Sequence, residues 1–518
     1  MLHSSVVTRL LILIGPTLLI RFAWALGTLC LFLFLSACAE PQTDSLRFGL
    51  ASAPTNLDPR FATDATSDRV NRLLYERLVD FNDAFEPRPA LAEWEQISPR
   101  HFRFHLKPDR APFHDGTPLT AQDVKATYDF ILDANNASPH RGTLALIDHI
   151  AVQDETTVDF HLNRPDLLFP SFLTLGILPN HLMQKNHPFH SHPIGSGPFS
   201  FVTRPDETRL ELLRLKDRQL LTFIKVQEPT VRALKLLAGE IDMLQNDVPP
   251  ELVTYLAKDP QLSIQRHPGT NFSYIGVSLE DPYTKQLLVR QAMAHAIDRE
   301  SVIRYVLSGA ARTAQSLLPP DHWAGALELK QYEYNPEKAR SLLAQAGFSS
   351  HAPLRLTYKT SSDPFRVRLA TILQHQLAQV GIQVDLRSYD WGTFYGDIKA
   401  GRFQIYSLSW VGVKTPDIFH YVFHSESIPP NGANRGRFSS HEADRLIDQA
   451  NHAQDIVDKK QYYQALQGYL SEVLPYVPLW YEDHVFIARR EITGFRMAND
   501  GNFDGLKDVQ RTAPTLSM

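Results

Sequence analysis

Two stretches in the second half of the chain are built the same way. "DPFRVRLATILQHQLAQVG" opens on Asp363 and Pro364 and closes on Gly381. An Asp can cap the first turn of a helix, Pro is pre-set for that turn, and Gly ends a helix without strain. Directly after Gly381, Ile382, Val384 and Leu386 alternate with other residues, the period of a half-buried strand. "NPEKARSLLAQAG" repeats the pattern with Asn335, Pro336 and Gly347. A helix that feeds straight into a strand is the mark of an α/β architecture, because each covers the other's apolar face.

Earlier segments read the same way. "LRFGLAS" predicts a strand, and "SDRVNRLLYERLVDF" predicts one amphipathic helix carrying Val70, Leu73, Leu74, Leu78 and Val79. "HFRFHLKP" alternates Phe102, Phe104 and Leu106 with His101, Arg103 and His105, a strand with one wet face. "TAQDVKATYDFILDA" opens with Thr120 and Asp123, close to a capping box, and "TTVDFHLNRP" is a strand stopped by Pro165. "VRQAMAHAIDRESVIRYVL" predicts one long helix ended by Gly309, and Ser439 with Glu442 predicts a capped helix over "SSHEADRLIDQA". "YVPLWYEDHVFIA" is rich in strand formers.

The chain has 518 residues, too many for one simple core, so two or more domains are expected. Its first 37 residues carry Arg9 and Arg21 and no acid, which leaves 50 basic against 57 acidic residues in the body. A mildly acidic body gives no reason to expect nucleic acid as a partner, nor attraction to an anionic membrane surface.

Membrane attachment is expected from the N-terminus instead. "RFAWALGTLCLFLFLSACAE" is a positive residue, an apolar run and a small-residue site. Leu35-Ser36-Ala37-Cys38 resembles a bacterial lipobox, which implies lipidation of Cys38 and cleavage before it; an ordinary secretory signal or an uncleaved membrane helix, with Cys38 incidental, is the alternative. Two or three acyl chains suffice for stable anchoring. The other cysteine, Cys30, lies within this leader, so the exported body needs no disulfide.

Catalytic templates are missing. "PIGSGPF", Pro193 to Phe199, lacks the Gly-x-Ser-x-Gly of a nucleophile elbow and reads as a fixed bend. His441 in "HEADR" lacks a second His at the spacing of a zinc helix, and no phosphate-cradling Gly-Lys-Ser/Thr loop is present. His187, His190 and His192 cluster in "HPFHSHP", but without a carboxylate partner they read as a solvated loop, and no metal or cofactor is expected.

A series of segments in fixed order carries more information. "APTNLDPRFATD", "RLLYERLVDF", "FHDGTPLTAQDVKATYDFI", "PIGSGPF", "ALKLLAGEID", "VRQAMAHAIDRESVI", "YNPEKARSLLAQAG", "GIQVDLRSYDW", "FQIYSLSW" and "NRGRFSSHEADRLIDQA" together resemble the extracellular solute-binding proteins of family 5. Those are peptide- and nickel-binding receptors of ABC importers. The resemblance implies a two-lobed α/β fold of the periplasmic-binding-protein type, a Venus flytrap of type II with an extra subdomain in lobe one. It places a signal peptide at 1–37, a tether at 38–44, lobe one at 45–268 with the subdomain at about 84–178, lobe two at 269–483, and a return to lobe one at 484–518.

It also gives a role to "WVGVKTPDIF", which has neither a helical nor a strict strand period. In the family this loop enters the cleft and typically carries Asp-Pro-Asp, whose first Asp holds a peptide's ammonium. Here the triplet is Thr415-Pro416-Asp417. A Thr hydroxyl carries no charge, so either Asp417 or another acid takes over, or the ligand is not a free-amine peptide. Trp410 is expected to stack on ligand and Arg435 to meet a ligand carboxylate. The expected protein is a monomeric, non-enzymatic, lipid-anchored periplasmic receptor that passes a small peptide or peptide-like solute to an inner-membrane ABC permease. A nickel-chelate or haem receptor of the same fold is one rival; a cell-envelope hydrolase or chaperone-like protein is another.

Overall fold

The computed structural model describes residues 45–512; the leader, Cys38 and the tether lie outside them. Two strands dominate, Leu262–Val277 and Tyr476–Arg489, of 16 and 14 residues. They run antiparallel along nearly their full length and belong to one 11-stranded sheet. Around one end, the strands Met243–Gln245, Leu46–Leu50, Leu220–Lys225, Arg209–Arg214 and Phe199–Asp206 extend the sheet outward from Tyr476–Arg489. Around the other end, Ile405–Trp410, Leu354–Ser361 and Ile382–Tyr389 extend it from Leu262–Val277. The first set is drawn from residues 46–245 and the second from residues 354–410.

Each half has its own core. In the half built from the middle of the chain, helices Leu287–Ala296, Pro336–Gln345 and Pro364–Gln379 bury Met293, Leu343, Leu373 and Leu377 against one sheet face. Helices Ile418–Phe423, His441–His452 and Ile456–Val473 bury Phe419, Ile447 and Leu466 on the other. In the remaining half, Phe48, Leu73, Phe223 and Phe503 form one cluster and Leu236, Leu256 and Ile487 another. A separate four-stranded antiparallel sheet, in the order Ala92–Ser98, His101–Leu106, Thr157–Leu162, Ile147–Val152, packs Phe102, Phe104 and Phe160 against helix Ala121–Leu132.

Local signals mostly decide the elements. Asp363 accepts the backbone N–H of Arg366 at 2.9 Å, and Asn335 that of Lys338 at 2.9 Å. Asp123 reaches back to the N–H of Thr120 at 2.8 Å. Three expectations shift. The helix expected over Ser67–Phe81 stops at Leu74, because Tyr75 is extended, and Val79 pairs in a short strand with Pro89. The long helix expected to reach Gly309 breaks at Ile297; the buried Arg299 guanidinium donates to the carbonyls of Ala294, Ile297, Tyr332 and Pro478, which holds the break open to those oxygens. The cap of the 441–452 helix is Ser440 rather than Ser439.

"PIGSGPF" works through close approach more than through a bend. A Cβ on Gly197 would lie 2.4 Å from the carbonyl oxygen of Leu73, and the N–H of Gly197 donates to Leu74 at 2.9 Å. The segment therefore clamps the end of helix Ala65–Leu74. Nearby, Arg72 and Arg77 both reach Asp80 and Asp504, at 2.5 to 3.1 Å, tying the early chain to the late return.

The long two-stranded ladder has one main interruption. Pairing lapses between His267 and Asn271, opposite Glu482 to His484. Pro268 has no N–H to give a ladder, and a Cβ on Gly269 would stand 2.2 Å from the carbonyl oxygen of Glu482. Replacing Gly269 by Ala must push the two strands apart. We expect Gly269→Ala to destabilise the protein by about 1–3 kcal/mol, read as a lower midpoint in urea unfolding.

Candidate functional site

The loop after strand Ile405–Trp410 faces a cavity of about 450 Å³. Trp410, Val411, Lys414, Thr415, Asp417 and Tyr421 line one side; Phe81, His140, Ser171 and Phe172 line the other. The loop is thus neither core nor free surface. Val413 and Pro416 are buried beneath it while Val411 is exposed at 57%.

Asp417 is the charged group aimed at this space. Its Oδ2 is buried with no hydrogen-bond partner. Burial pushes its carboxyl up to about 6, helped by the neighbouring Asp166, against the pull of Lys459, the Thr415 hydroxyl and Arg164. Thr415 therefore faces Asp417 as a hydrogen-bonding neighbour, not as a charge. Trp410 also keeps an unpartnered buried atom, its indole Nε1, and its ring meets Tyr421 edge-on at 6.3 Å.

Arg435 stands behind that Trp. Its guanidinium carbon lies 4.8 Å from the Trp410 ring centre, a cation–π contact. It donates to the hydroxyls of Tyr274 at 3.3 Å and Tyr395 at 3.0 Å, and it does not line the cavity. The residue is 8% exposed. Its direct effect is to fix the Trp410 ring.

Three groups escaped sequence reasoning. Lys414 lies in the same loop and pairs with Asp500, in the late return segment, at 2.8 Å. Asp500 is held well below the usual carboxylate range because Lys414 and Arg72 outweigh its burial. Asp166 follows Pro165 and approaches Asp417 only through folding. Arg366, in the first turn of helix Pro364–Gln379, lines a second cavity of about 340 Å³ with Ser273, Trp391 and Ser409. Glu482 takes one N–H of its fork at 2.9 Å. Val411 lines both cavities, so they meet at the tip of the loop.

His187 donates to or accepts from nothing metal-like; its Nε2 sits 2.6 Å from the carbonyl oxygen of His192. Among the described residues, the ligand atoms of His101, Asp159 and His161 do lie together, on the outer face of the four-stranded sheet, but both Asp159 oxygens are already bonded by Arg103 at 2.8 and 2.9 Å.

The family model for bacterial extracellular solute-binding proteins, family 5 Middle, matches residues 85–428. The chain belongs to family 5 of these solute-binding proteins. The dipeptide-binding protein of Escherichia coli K12 is 25% identical over 502 residues, 89% of this chain and 94% of that protein. Heme-binding protein A of Haemophilus influenzae is 26% identical over 472 residues, 83% and 85% of the two chains. The periplasmic binding protein DppA of Helicobacter pylori, solved with the peptide STSA, superposes with a TM-score of 0.72 at 26% identity, covering 90% of this chain and 98% of that one.

The two-lobed α/β fold of this family-5 protein is that of periplasmic binding proteins. Its relatives are substrate-binding proteins rather than enzymes, and family members are extracellular. No helix among the described residues is long and apolar enough to cross a membrane.

The raised Asp417 carboxyl has a stability consequence. The folded state holds the proton up to about pH 6, while an unfolded Asp releases it near 3.9, so the unfolded state binds fewer protons in between. Stability therefore falls as pH rises through that window and stays at the lower level above it. Asp417→Asn is expected to raise the melting temperature of the ligand-free protein by about 1–3 °C at pH 7.5, with no gain at pH 4. Paired thermal scans at the two pH values check this.

Proposed function

We propose that this solute-binding protein is the receptor of an ABC importer and captures a small peptide, or a peptide-like zwitterion, between its two lobes. The observation that carries this reading is Asp417: a buried carboxylate oxygen without a partner, in a cavity lined by both sides. An ion left without a partner in such a place is unfavourable, and a ligand ammonium removes the penalty with a charge-assisted bond. Across Val411, Arg366 offers further N–H groups to a carboxylate while Glu482 holds one. A cation site and an anion site joined at one loop suit a molecule with an ammonium at one end and a carboxylate at the other. Trp410, steadied by Arg435, supplies the flat apolar surface between them, and Thr415 orients Asp417.

The lobes meet at the interrupted ladder. We place the crossings near Pro268 and Asp483, with lobe one at 45–268 and 484–518, lobe two at 269–483, and the subdomain at about 84–178. Lobe two reaches lobe one through Lys414 to Asp500 at 2.8 Å and Arg368 to Glu251 at 3.0 Å. These pairs form only when the lobes are together, so they add to the closed state that a ligand favours by binding it more tightly. The reading includes a cleaved leader and a lipid anchor at Cys38, which hold a monomer at the cell membrane facing the permease. The protein does no covalent chemistry in this scheme.

Calorimetric titration of the leader-free protein with a panel of di- and tripeptides tests the reading. Peptide binding at micromolar concentration or tighter is expected, with about tenfold or greater loss when the peptide's amino group is acetylated or when Asp417 becomes Asn. Lack of any peptide binding, with uptake of haem or a nickel–histidine chelate, would overturn it in favour of the other ligands bound in this family.

A further inference from the structure

The second cavity, of about 340 Å³, has more room than a carboxylate on Arg366 would fill. Leu369, Leu373, Phe394, Leu408 and Leu479 wall it, and most of its surface is apolar. Its charged and hydroxyl groups are largely paired with one another. Asp363 accepts the backbone N–H of Arg366 at 2.9 Å. The Ser273 hydroxyl donates to Glu482 at 2.8 Å and lies 2.6 Å from that of Ser409. What remains for a guest is the outer edge of Arg366 and a large apolar wall.

Two independent features of that wall bear on what enters. Trp391 and Val411 both line the cavity, yet they are 59% and 57% exposed. Exposed apolar residues scattered singly need no explanation, but two bulky ones on one cavity form a patch for a guest to cover. The Trp391 ring lies flat on that of Tyr395, with centres 5.3 Å apart, which holds it in place. At the buried extreme, Tyr358 and Trp480 line the same cavity. The Tyr358 hydroxyl and the Trp480 indole N–H are buried and make no hydrogen bond. Burial pushes the Tyr358 phenol up to about 12, so it stays a neutral donor at neutral pH. Two buried donors without acceptors are costly, and an acceptor brought in by the guest relieves that cost.

We propose, resting on the peptide reading above, that the ligand residue carrying the carboxylate bears an aromatic side chain with a polar tip, as tyrosine does, and that this cavity receives it. With the carboxylate on Arg366, that side chain is the part of the peptide nearest the apolar wall. Its ring meets Trp391 and the leucines, and each apolar surface takes the other out of water. Its hydroxyl oxygen accepts from Tyr358 or Trp480. A short side chain leaves the wall wet and the donors unpaired. A phenyl ring covers the wall but still leaves the donors unpaired, which is how a site built with buried donors discriminates against a guest lacking the acceptor.

The test is calorimetric titration of the leader-free protein with Ala-Ala, Ala-Phe, Ala-Tyr and Tyr-Ala in one buffer. Ala-Tyr is expected to bind about tenfold or more tightly than Ala-Ala, with Ala-Phe between them and Tyr-Ala gaining less than Ala-Tyr. Tyr358→Phe keeps the ring and removes the donor, so it should bring Ala-Tyr down toward Ala-Phe. Trp391→Ala, at an exposed position, should bring both aromatic peptides down toward Ala-Ala. Melting curves check that the two variants fold. Equal affinities for Ala-Ala, Ala-Phe and Ala-Tyr would overturn this inference and leave the peptide reading standing. Tyr-Ala binding more tightly than Ala-Tyr, or an aromatic preference unchanged in both variants, would overturn the assignment to this cavity. Ala-Phe equal to Ala-Tyr, with both above Ala-Ala, would overturn the part given to Tyr358 and Trp480. No binding by any of the four would overturn the peptide reading itself, and this inference with it.

Discussion

Everything in this molecule hangs on two strands. Leu262–Val277 and Tyr476–Arg489 are the central pair of a sheet that neither half completes alone. Their long pairing supplies backbone hydrogen bonds at both ends, and their main lapse falls where Pro268 cannot donate and Gly269 brings the chain against Glu482. A continuous ladder resists bending. A ladder broken at one place can flex there and keep both ends intact, because the rest of each lobe hangs on its own hydrophobic cluster. Glu482, next to the lapse, also holds Arg366 of the second cavity. Glu482 therefore joins the lapse in the ladder to Arg366 and the second cavity.

In the reading proposed above, the loop after Trp410 sets up recognition at a cost to the fold's own stability. Asp417 would be better solvated elsewhere, and burial raises its pKa to about 6. Lys459 is close enough to lower that value but its ammonium is directed to Ala450, so it softens the penalty without removing it. Trp410 likewise leaves its indole N–H unused. A buried polar group left unsatisfied calls for an explanation, and in the reading proposed above the ligand brings the partner. Arg435 is the contrast. It has phenol hydroxyls and two ring faces around it, and it strengthens the loop from behind.

Much of the architecture was legible because it is written locally. Asp363-Pro364 and Asn335-Pro336 start helices by capping chemistry that does not depend on the rest of the chain, and Phe102, Phe104 and Leu106 alternate because one sheet face is wet. Where tertiary contacts override local preference, reading failed: nothing near Ile297 announces that Arg299 will draw four carbonyls to itself and end a helix. The cleft was legible only as a loop. Trp410, Thr415 and Asp417 stand together in the sequence, whereas Asp166, Arg366 and Asp500 come to that region from distant segments. Lys414 illustrates the limit well. In sequence it is a cation beside the Thr415-Pro416-Asp417 triplet; in the fold it is spoken for by Asp500.

Asp166 bears on how Thr can stand at position 415. With an Asp there, the loop would carry a second buried carboxylate beside Asp417 and close to Asp166, and like charges at such range raise each other's pKa until one stays protonated. Asp166 already supplies that second acid from across the cavity. A hydroxyl at 415 adds no charge beside Asp417, so the loop keeps one ionisable carboxylate of its own. Under the reading proposed above, open lobes would present a single acid and closed lobes a pair, so a cation bound between them would gain its second carboxylate on closure, which is the differential affinity that a two-lobed receptor needs in order to shut around its ligand.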